Sequence, residues 1–188
     1  MSKELEYKFF INDNQKLQII NYLKENGAEF ISKIAQKDVY FIPKFRDFEI
    51  NGETIECVRI RTTDRGSVLC YKKIHREANP IYCDEYETKI EDANELEKIF
   101  LAISFEVQMT IDKTREIYRL GDFEFDFDSV KNLGELFEIE LKSDDELKFD
   151  EIFEVLNEFG IKKSDANYEG IQTLMKKSLD KNKGENYD

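Results

Sequence analysis

The sequence predicts an α+β fold, with about eight strands in a mostly antiparallel sheet and about four helices flanking it. Three observations carry this. Strand-like and helix-like stretches alternate along all 188 residues, with no composition break and no repeat. The strand-like stretches place charged residues on one face and apolar residues on the other. Fifteen Phe and 9 Tyr supply a core, while only 2 Pro and 8 Gly exclude collagen-like or linker-dominated chains.

The elements follow in order. Glu4–Phe10 is the first strand. Asp13 caps a helix whose apolar positions are Leu17, Ile20 and Leu23, ending at Gly27. Ala28–Phe41 is extended. Residues 42–54, with Pro43 and the Asn51-Gly52 turn signal, form an irregular loop. Ile55–Thr63 and Val68–Ile74 make a hairpin around Asp64–Ser67. Residues 82–90 are a strand and 93–103 a short helix carrying Leu96, Ile99 and Phe100. Strands follow at 105–120, 122–130 and 137–141. Ser143-x-x-Glu146 is a capping box for a helix with the stripe Phe149, Ile152, Phe153, Leu156 and Phe159, closed by Gly160. A last helix covers 168–179. The expected domain is therefore 1–179, with a charged, frayed tail at 180–188.

Composition excludes several function classes. Asp plus Glu outnumber Lys plus Arg by 41 to 28, for a net charge of −13. Nucleic acid needs a broad basic surface, so it is not an expected partner, nor is an anionic membrane. No apolar run approaches the ~18 residues of a membrane span. The N-terminus lacks an apolar signal region, so the expected compartment is cytoplasmic. Cys57, Cys70 and Cys83 form no CxxC pair, and with a single histidine they are expected to be reduced thiols.

Parity is the informative signal. Glu4, Glu6 and Lys8 share one strand face, as do Cys57, Arg59 and Arg61, and likewise Glu85, Glu87 and Lys89. Lys113 and Arg115, Asp126 and Asp128, and Glu138 and Glu140 follow the same rule, with Lys72 in line in its own strand. A solvated sheet face normally carries Thr, Ser and Gln among its charges; this face is almost entirely ionised, with both signs. A two-residue turn at Arg65-Gly66 sets Arg59 opposite Lys72. Such a like-charge pair is destabilising unless an anion lies between.

Closing the strands into a barrel puts the charged face inside and the Phe/Tyr/Ile face outside, under the helices. So dense a charged interior is costly unless ions and ligand pair it, and crowded cations such as Arg59 and Arg115 are expected to cost stability without ligand. Carboxylates suit divalent cations, and Arg and Lys suit phosphate oxygens. The matching ligand is a polyphosphate chelated to Mg²⁺ or Mn²⁺. Phosphate binding must use side chains, because no GxGxxG or GxxxxGK[ST] loop occurs. His75 is read as a loop-edge residue. The aromatic runs are read as packing, with base stacking as the alternative for an aromatic near the lumen mouth.

These residues also resemble a known family. Glu4-Leu5-Glu6-Tyr7-Lys8 is similar to the ExExK signature of the CYTH superfamily, the triphosphate tunnel metalloenzymes. Gln36-Lys37-Asp38-Val39-Tyr40-Phe41, Val58-Arg59-Ile60-Arg61, Lys72, and Lys113-Thr114-Arg115 resemble its later strands. The block from Asp128 to Glu140, with Leu133-Gly134 and Glu138-Ile139-Glu140, is most similar to the class IV adenylyl cyclase branch. The resemblance implies an eight-stranded closed antiparallel barrel, or tunnel. Glu4, Glu6 and Glu138 or Glu140 would hold Mg²⁺ or Mn²⁺. Lys8, Arg59, Arg61, Lys72, Lys113 and Arg115 would bind phosphates. Lys8, Arg59, Lys72, Arg115 and Asp128 would serve catalysis, Asp128 by orienting a base or a metal-bound water. Glu85 and Glu87 fall in the middle acidic strand. The implied activity is conversion of ATP to cyclic AMP and pyrophosphate. The alternatives are hydrolysis of thiamine triphosphate or inorganic triphosphate, or a non-catalytic polyphosphate- or nucleotide-binding module. Homodimerisation stays open. The 42–54 loop, with Phe45, Arg46 and Phe48, is long enough to cover a tunnel mouth.

Overall fold

A computed structural model describes residues 2–75, 82–143 and 148–184, with side chains described from Glu6 to Asp180. Its elements are β1 (Ser2–Phe10), α1 (Asp13–Glu25), β2 (Glu29–Pro43), β3 (Glu49–Ile50), β4 (Glu53–Thr54), β5 (Glu56–Thr63), β6 (Gly66–His75) and β7 (Tyr82–Ile90). After these come α2 (Ala93–Ala102), β8 (Phe105–Leu120), β9 (Phe123–Val130), β10 (Gly134–Leu141), α3 (Lys148–Glu158) and α4 (Ile171–Gly184). The eight long strands are antiparallel and follow the order β1-β10-β9-β8-β2-β5-β6-β7. β3 and β4 form a separate hairpin around Asn51-Gly52, both at positive φ. No helix among the described residues is long and apolar enough to cross a membrane.

The parity reading holds: the sheet curls with its ionised face inward. Outward-facing Phe9, Phe125, Phe127, Phe137 and Ile139 are at most 1% exposed, under Ile19, Ile20 and Leu23 of α1 and Phe149, Ile152, Phe153 and Leu156 of α3. Phe127 stacks on Phe137 with ring centroids 4.9 Å apart. α2 lays Leu96 and Phe100 over Phe41, Val58 and Ile60 on the other side. Two amphipathic coats thus bury what would be an exposed aromatic wall, and this apolar area is the main favourable term of the fold.

Several details depart from the sequence reading. A barrel closed along its length is not formed. β1 and β7 meet only at Ser2↔Glu85, Lys3↔Asp84 and Glu4↔Cys83, so the sheet is curled with one short seam. Past that seam, Asn167 N–H donates to Lys8 O at 2.7 Å and lays the chain before α4 along the β1 edge. The β5–β6 turn is Asp64-Arg65, because Thr63 pairs with Gly66, which alone tolerates its φ of 123° cheaply. Arg59 therefore faces Cys70 and not Lys72, and the like-charge pair dissolves. Lys72 faces Glu85, as expected. The cap of α1 is Asn12, in a reciprocal box with Gln15, rather than Asp13. Glu146 of the proposed capping box before α3 lies outside the described residues. α4 continues to Gly184, past the expected domain end at 179, and 185–188 lie outside the described residues.

α4 is the largest surprise. Ile171, Leu174 and Met175 pack on Tyr40, Ile111, Val130 and Leu136. Those four share strand parity with Asp38, Lys113, Asp128 and Glu138, so they line the inside of the curl. α4 thus stops one mouth of the lumen. It is pinned by a Thr54–Thr173 hydroxyl bond of 2.9 Å and by Lys176 on Glu49. Of the 42–54 segment, Glu49 and Thr54 meet the α4 stopper, whereas Phe48 is buried in the outer core and Arg46 clamps Glu56 through two bonds of 2.9 and 2.6 Å.

Truncating Leu174 removes a side chain that is 5% exposed from this stopper. Leu174→Ala is expected to lower unfolding free energy by about 2–5 kcal/mol, read from denaturant midpoints, if α4 seals the mouth. A change below ~0.5 kcal/mol would mean that the helix is not seated there.

Candidate functional site

The lumen holds a cavity of about 390 Å³. All six sequence-predicted cations, Lys8, Arg59, Arg61, Lys72, Lys113 and Arg115, line it, as do Glu6, Glu138 and Glu140. Glu4 sits in β1 opposite Cys83, but its side chain lies outside those described. Asp128 does not line the cavity. It is fully buried behind Lys113 and Arg115 and accepts hydrogen bonds from both.

Strand register explains the convergence. Arg115 pairs with Asp128 across β8–β9, and Lys113 is two residues further along the same face. Asp128 accepts from Lys113 Nζ at 2.6 Å and from Arg115 Nε at 2.7 Å. Arg115 also reaches Glu138 at 2.5 Å and Asp126. Lys8 pairs in register with Glu138, its Nζ 3.0 Å from Glu138 and 3.3 Å from Glu6. Across β2–β5, Arg61 grips Asp38 through two bonds of 2.7 Å. Lys72 is 3.3 Å from Glu85.

The balance of burial against these partners sets the ionisation. Burial pushes Glu138 and Asp128 up, but Lys8, Arg115 and Lys113 around Glu138, and Arg115 and Lys113 around Asp128, outweigh it and hold both below the usual carboxylate range. Asp38 is lowered likewise, by Arg61 and Arg59 against burial. Lys113 is pulled down to about 8 by burial and by neighbouring Arg115, against Asp128. Asp126 is pushed up to about 7 by burial, with Glu138 and Asp128 adding to it against Arg115. Arg115 is therefore a structural keystone: removing it leaves Asp126, Asp128 and Glu138 without their shared cation. The expectation that its loss relieves crowding is corrected for this residue.

Arg59 differs. Its nearest carboxylate, Asp38, is 3.7 Å away, and its buried Nε has no hydrogen-bond partner. A buried guanidinium with an unpaired donor is suited to accept an anion.

The acids divide into two groups. Register aligns Glu6, Glu140 and Glu124 on adjacent strands, with Lys142 at 2.6 Å from Glu140 and 3.5 Å from Glu124. Burial pushes Glu140 up, and Glu6 and Glu124 add to it against Lys142. Such a row of crowded hard oxygens fits a divalent cation. Of the expected set Glu4, Glu6 and Glu138 or Glu140, Glu6 and Glu138 share Lys8, and Glu138 also holds Arg115. Among the described residues, only Cys70, Glu85 and Glu87 bring ligand atoms within 4.8 Å of one another. The Cys70 thiol donates to Glu85 at 3.0 Å and is pushed up to about 12 by burial, with Glu85 adding to it against Arg59. A protonated thiol is a poor partner for Mg²⁺, while the ligand oxygens of Glu6, Glu140 and Glu124 do not all lie within 4.8 Å of one another.

Sequence reasoning placed Asp126 on the inward face without a role, and missed Asp38 as the Arg61 anchor, Glu124 in the lumen row and the segment 167–172. Asp38 and Glu124 were legible from parity. The last was not, because it is no strand.

Comparison with known proteins places this geometry. The CYTH domain matches residues 2–167. A candidate adenylate cyclase of Methanocaldococcus jannaschii is 36% identical over 155 residues, covering 82% of this chain and 86% of that protein. A Pyrococcus horikoshii protein of solved structure superposes with a TM-score of 0.74 at 25% identity, over 92% of this chain and 99% of its own. A Hippeastrum protein described as a candidate adenylyl cyclase with a dominant triphosphatase activity shares the fold, with a TM-score of 0.67 at 15% identity. It aligns over 94% of this chain and 96% of its own.

The raised Asp126 has a stability consequence. Between its unfolded value of ~4 and its folded value of about 7, the native state binds one proton more than the unfolded chain, so its contribution falls as pH rises. Asp126→Asn removes that contribution. In metal-free protein the variant is expected to gain stability relative to wild type as pH climbs from 4 to 7, followed by denaturant midpoints. A pH-independent difference would place the Asp126 pKa in the ordinary range.

Proposed function

We propose that this chain, which belongs to the CYTH domain family, is a divalent-metal-dependent enzyme acting on a triphosphate-bearing substrate, with cyclisation of ATP as the first reading. One observation carries the proposal: the buried, incompletely paired Arg59 faces a lumen lined by six other cations. A single small molecule with several closely spaced negative charges satisfies all of them. The stoppered mouth sets direction, since a substrate enters from the side away from α4.

Glu6, Glu140 and Glu124 would hold Mg²⁺ or Mn²⁺, with Glu138 beside them. When bound, the ion neutralises phosphate charge and polarises the phosphoryl oxygens. The chain's own residues do the rest. Arg59, Arg61, Lys72 and Lys113 hold the phosphate oxygens. Asp128 fixes Lys113 and Arg115 so that they need no reorganisation as charge develops. In the cyclase reading the ribose 3′-hydroxyl attacks the α-phosphorus, its proton leaves to solvent, and pyrophosphate departs. The Methanocaldococcus jannaschii relative supports this reading.

Hydrolysis is the second reading, in which water attacks the terminal phosphorus of thiamine triphosphate or inorganic triphosphate. The activity described for the Hippeastrum protein is of this kind.

Product analysis decides. The protein is incubated with ATP, inorganic triphosphate or thiamine triphosphate, each with Mg²⁺ or Mn²⁺. Cyclic AMP plus pyrophosphate supports the cyclase, and orthophosphate supports the hydrolase. Turnover should vanish in excess EDTA and return with metal; full activity in EDTA would sink the metal-dependent mechanism. Arg59→Ala is expected to lower kcat/KM by roughly 30- to 1,000-fold, about 2–4 kcal/mol. Its thermal midpoint should hold, because Arg59 has only the long contact to Asp38. Wild-type turnover in that variant would remove Arg59 from the phosphate site.

A further inference from the structure

The incomplete closure of the sheet leaves one edge of a long strand open. β7 pairs with β6 along its whole length, up to Ser67↔Ile90, so it stays regular and extended to its end. On its other side β1 reaches it only at Cys83, Asp84 and Glu85. Exposure follows the pairing: Tyr82 to Glu85 are partly buried, whereas Tyr86 to Lys89 are exposed. The facing β1 edge is taken at Lys8 by Asn167, but among the described residues no strand pairs with Tyr86–Ile90 from the β1 side. α2, which follows β7, packs on Phe41, Val58, Ile60 and Leu69, on the side of β7 away from β1. The row of backbone N–H and C=O groups from Tyr86 to Ile90 is therefore a preformed template for one more strand.

Charges on an edge repel most strands that approach it, and Glu87 and Lys89 do so here. Their order, however, makes this edge complementary to itself. The run is Tyr86-Glu87-Thr88-Lys89-Ile90, with opposite charges on either side of Thr88. Antiparallel pairing with an identical strand about a two-fold axis at Thr88 sets Glu87 opposite Lys89 of the second copy, and the axis repeats that pair. Both pairs fall on the lumen face, while Tyr86 meets Ile90 of the second copy on the outer face. An axis at Glu87 or at Lys89 would oppose like charges, so the charges select the register. Neither residue is spent within its own chain: among the described residues, no ion pair holds Glu87 or Lys89. Tyr86 is 51% exposed, an apolar body available to the same contact.

We propose that a second copy of this chain docks on the β7 edge, antiparallel about a two-fold axis at Thr88, so that one sheet runs through both protomers. The contact is isologous, as closed dimers require, and its backbone bonds are those of strand addition. Glu87 lines the cavity, so the dimer brings Lys89 of the second copy to the rim of the lumen. The proposal rests on the strand edge and not on the triphosphate reading, and its test reads mass rather than turnover.

The test is light scattering and sedimentation equilibrium on the full chain over a range of concentrations, for wild type, Glu87→Lys and Lys89→Glu, with circular dichroism to check that each is folded. Wild type is expected to give twice the monomer mass. Each single variant faces like charges at two places across the axis, and is expected to raise the dimer dissociation constant roughly 10- to 100-fold. An equimolar mixture of the two variants restores opposite charges at both places, and is expected to dimerise about as tightly as wild type. Recovery on mixing also shows that neither variant lost its fold. Three results would each overturn the proposal: a wild type that is monomeric at every concentration, single variants that dimerise as tightly as wild type, or a mixture that stays monomeric.

Discussion

The structure depends on one arrangement: Arg115 held by Asp126, Asp128 and Glu138 inside a curled sheet. Burying a guanidinium costs several kcal/mol unless its donors are met. Three carboxylates on two strands meet them, and so fix the positions of β8, β9 and β10 relative to one another. Lys113 and Lys8 extend the network at either side through Asp128 and Glu138. An interior of this kind stabilises little by itself. It is tolerated because the outward faces bury Phe9, Phe125, Phe127 and Phe137 under α1 and α3. The apolar coat supplies the free energy, and the network determines where each charge points.

Much of this was legible in the sequence because strand parity is a strict period of two. Glu138 and Glu140 cannot face inward without Phe137 and Ile139 facing outward, so the inverted barrel could be read before any coordinates. Register was harder. The β5–β6 hairpin slipped by two residues between reading and structure, a slip that preserves every side-chain face while changing every partner. The lumen assignment of Arg59 and Lys72 therefore survived, and their direct pairing did not. Parity reports faces, whereas turn chemistry at Asp64-Arg65-Gly66 sets partners.

Parity also did not distinguish a wet lumen from a dry one. Met109 and Ile111 precede Lys113 and Arg115 on one face of β8, and Leu136 precedes Glu138 on one face of β10. Such a switch from apolar to charged along a single face marks the depth at which the lumen dries. It required an apolar plug, and the stripe Ile171, Leu174, Met175 was available to supply one. The seam was hidden for a related reason: closure depends on a few residues at the start of β1, and no local propensity records how many of them pair.

The distribution of incomplete pairing gives the lumen a polarity. Near the stopper, Arg59 has a buried donor without a partner, and Asp38, its nearest acid, is already spent on Arg61. In the Glu6, Glu140 and Glu124 row, carboxylates crowd against one another, with Lys142 between Glu140 and Glu124, Arg119 on Glu124 and Lys8 on Glu6. The first region has an unmet donor, and in the second each cation is shared with another acid or half-exposed. Separate ions would satisfy each alone, but each would enter the low-dielectric lumen carrying uncompensated charge. A phosphate chain chelated to a divalent ion enters with much of its charge already neutralised and supplies both deficits at once. That coupling is why the net charge of −13 does not argue against a phosphate ligand. Under the proposed function, a chelate entering from the side away from α4 would pass the carboxylate row before its leading phosphate reached Arg59.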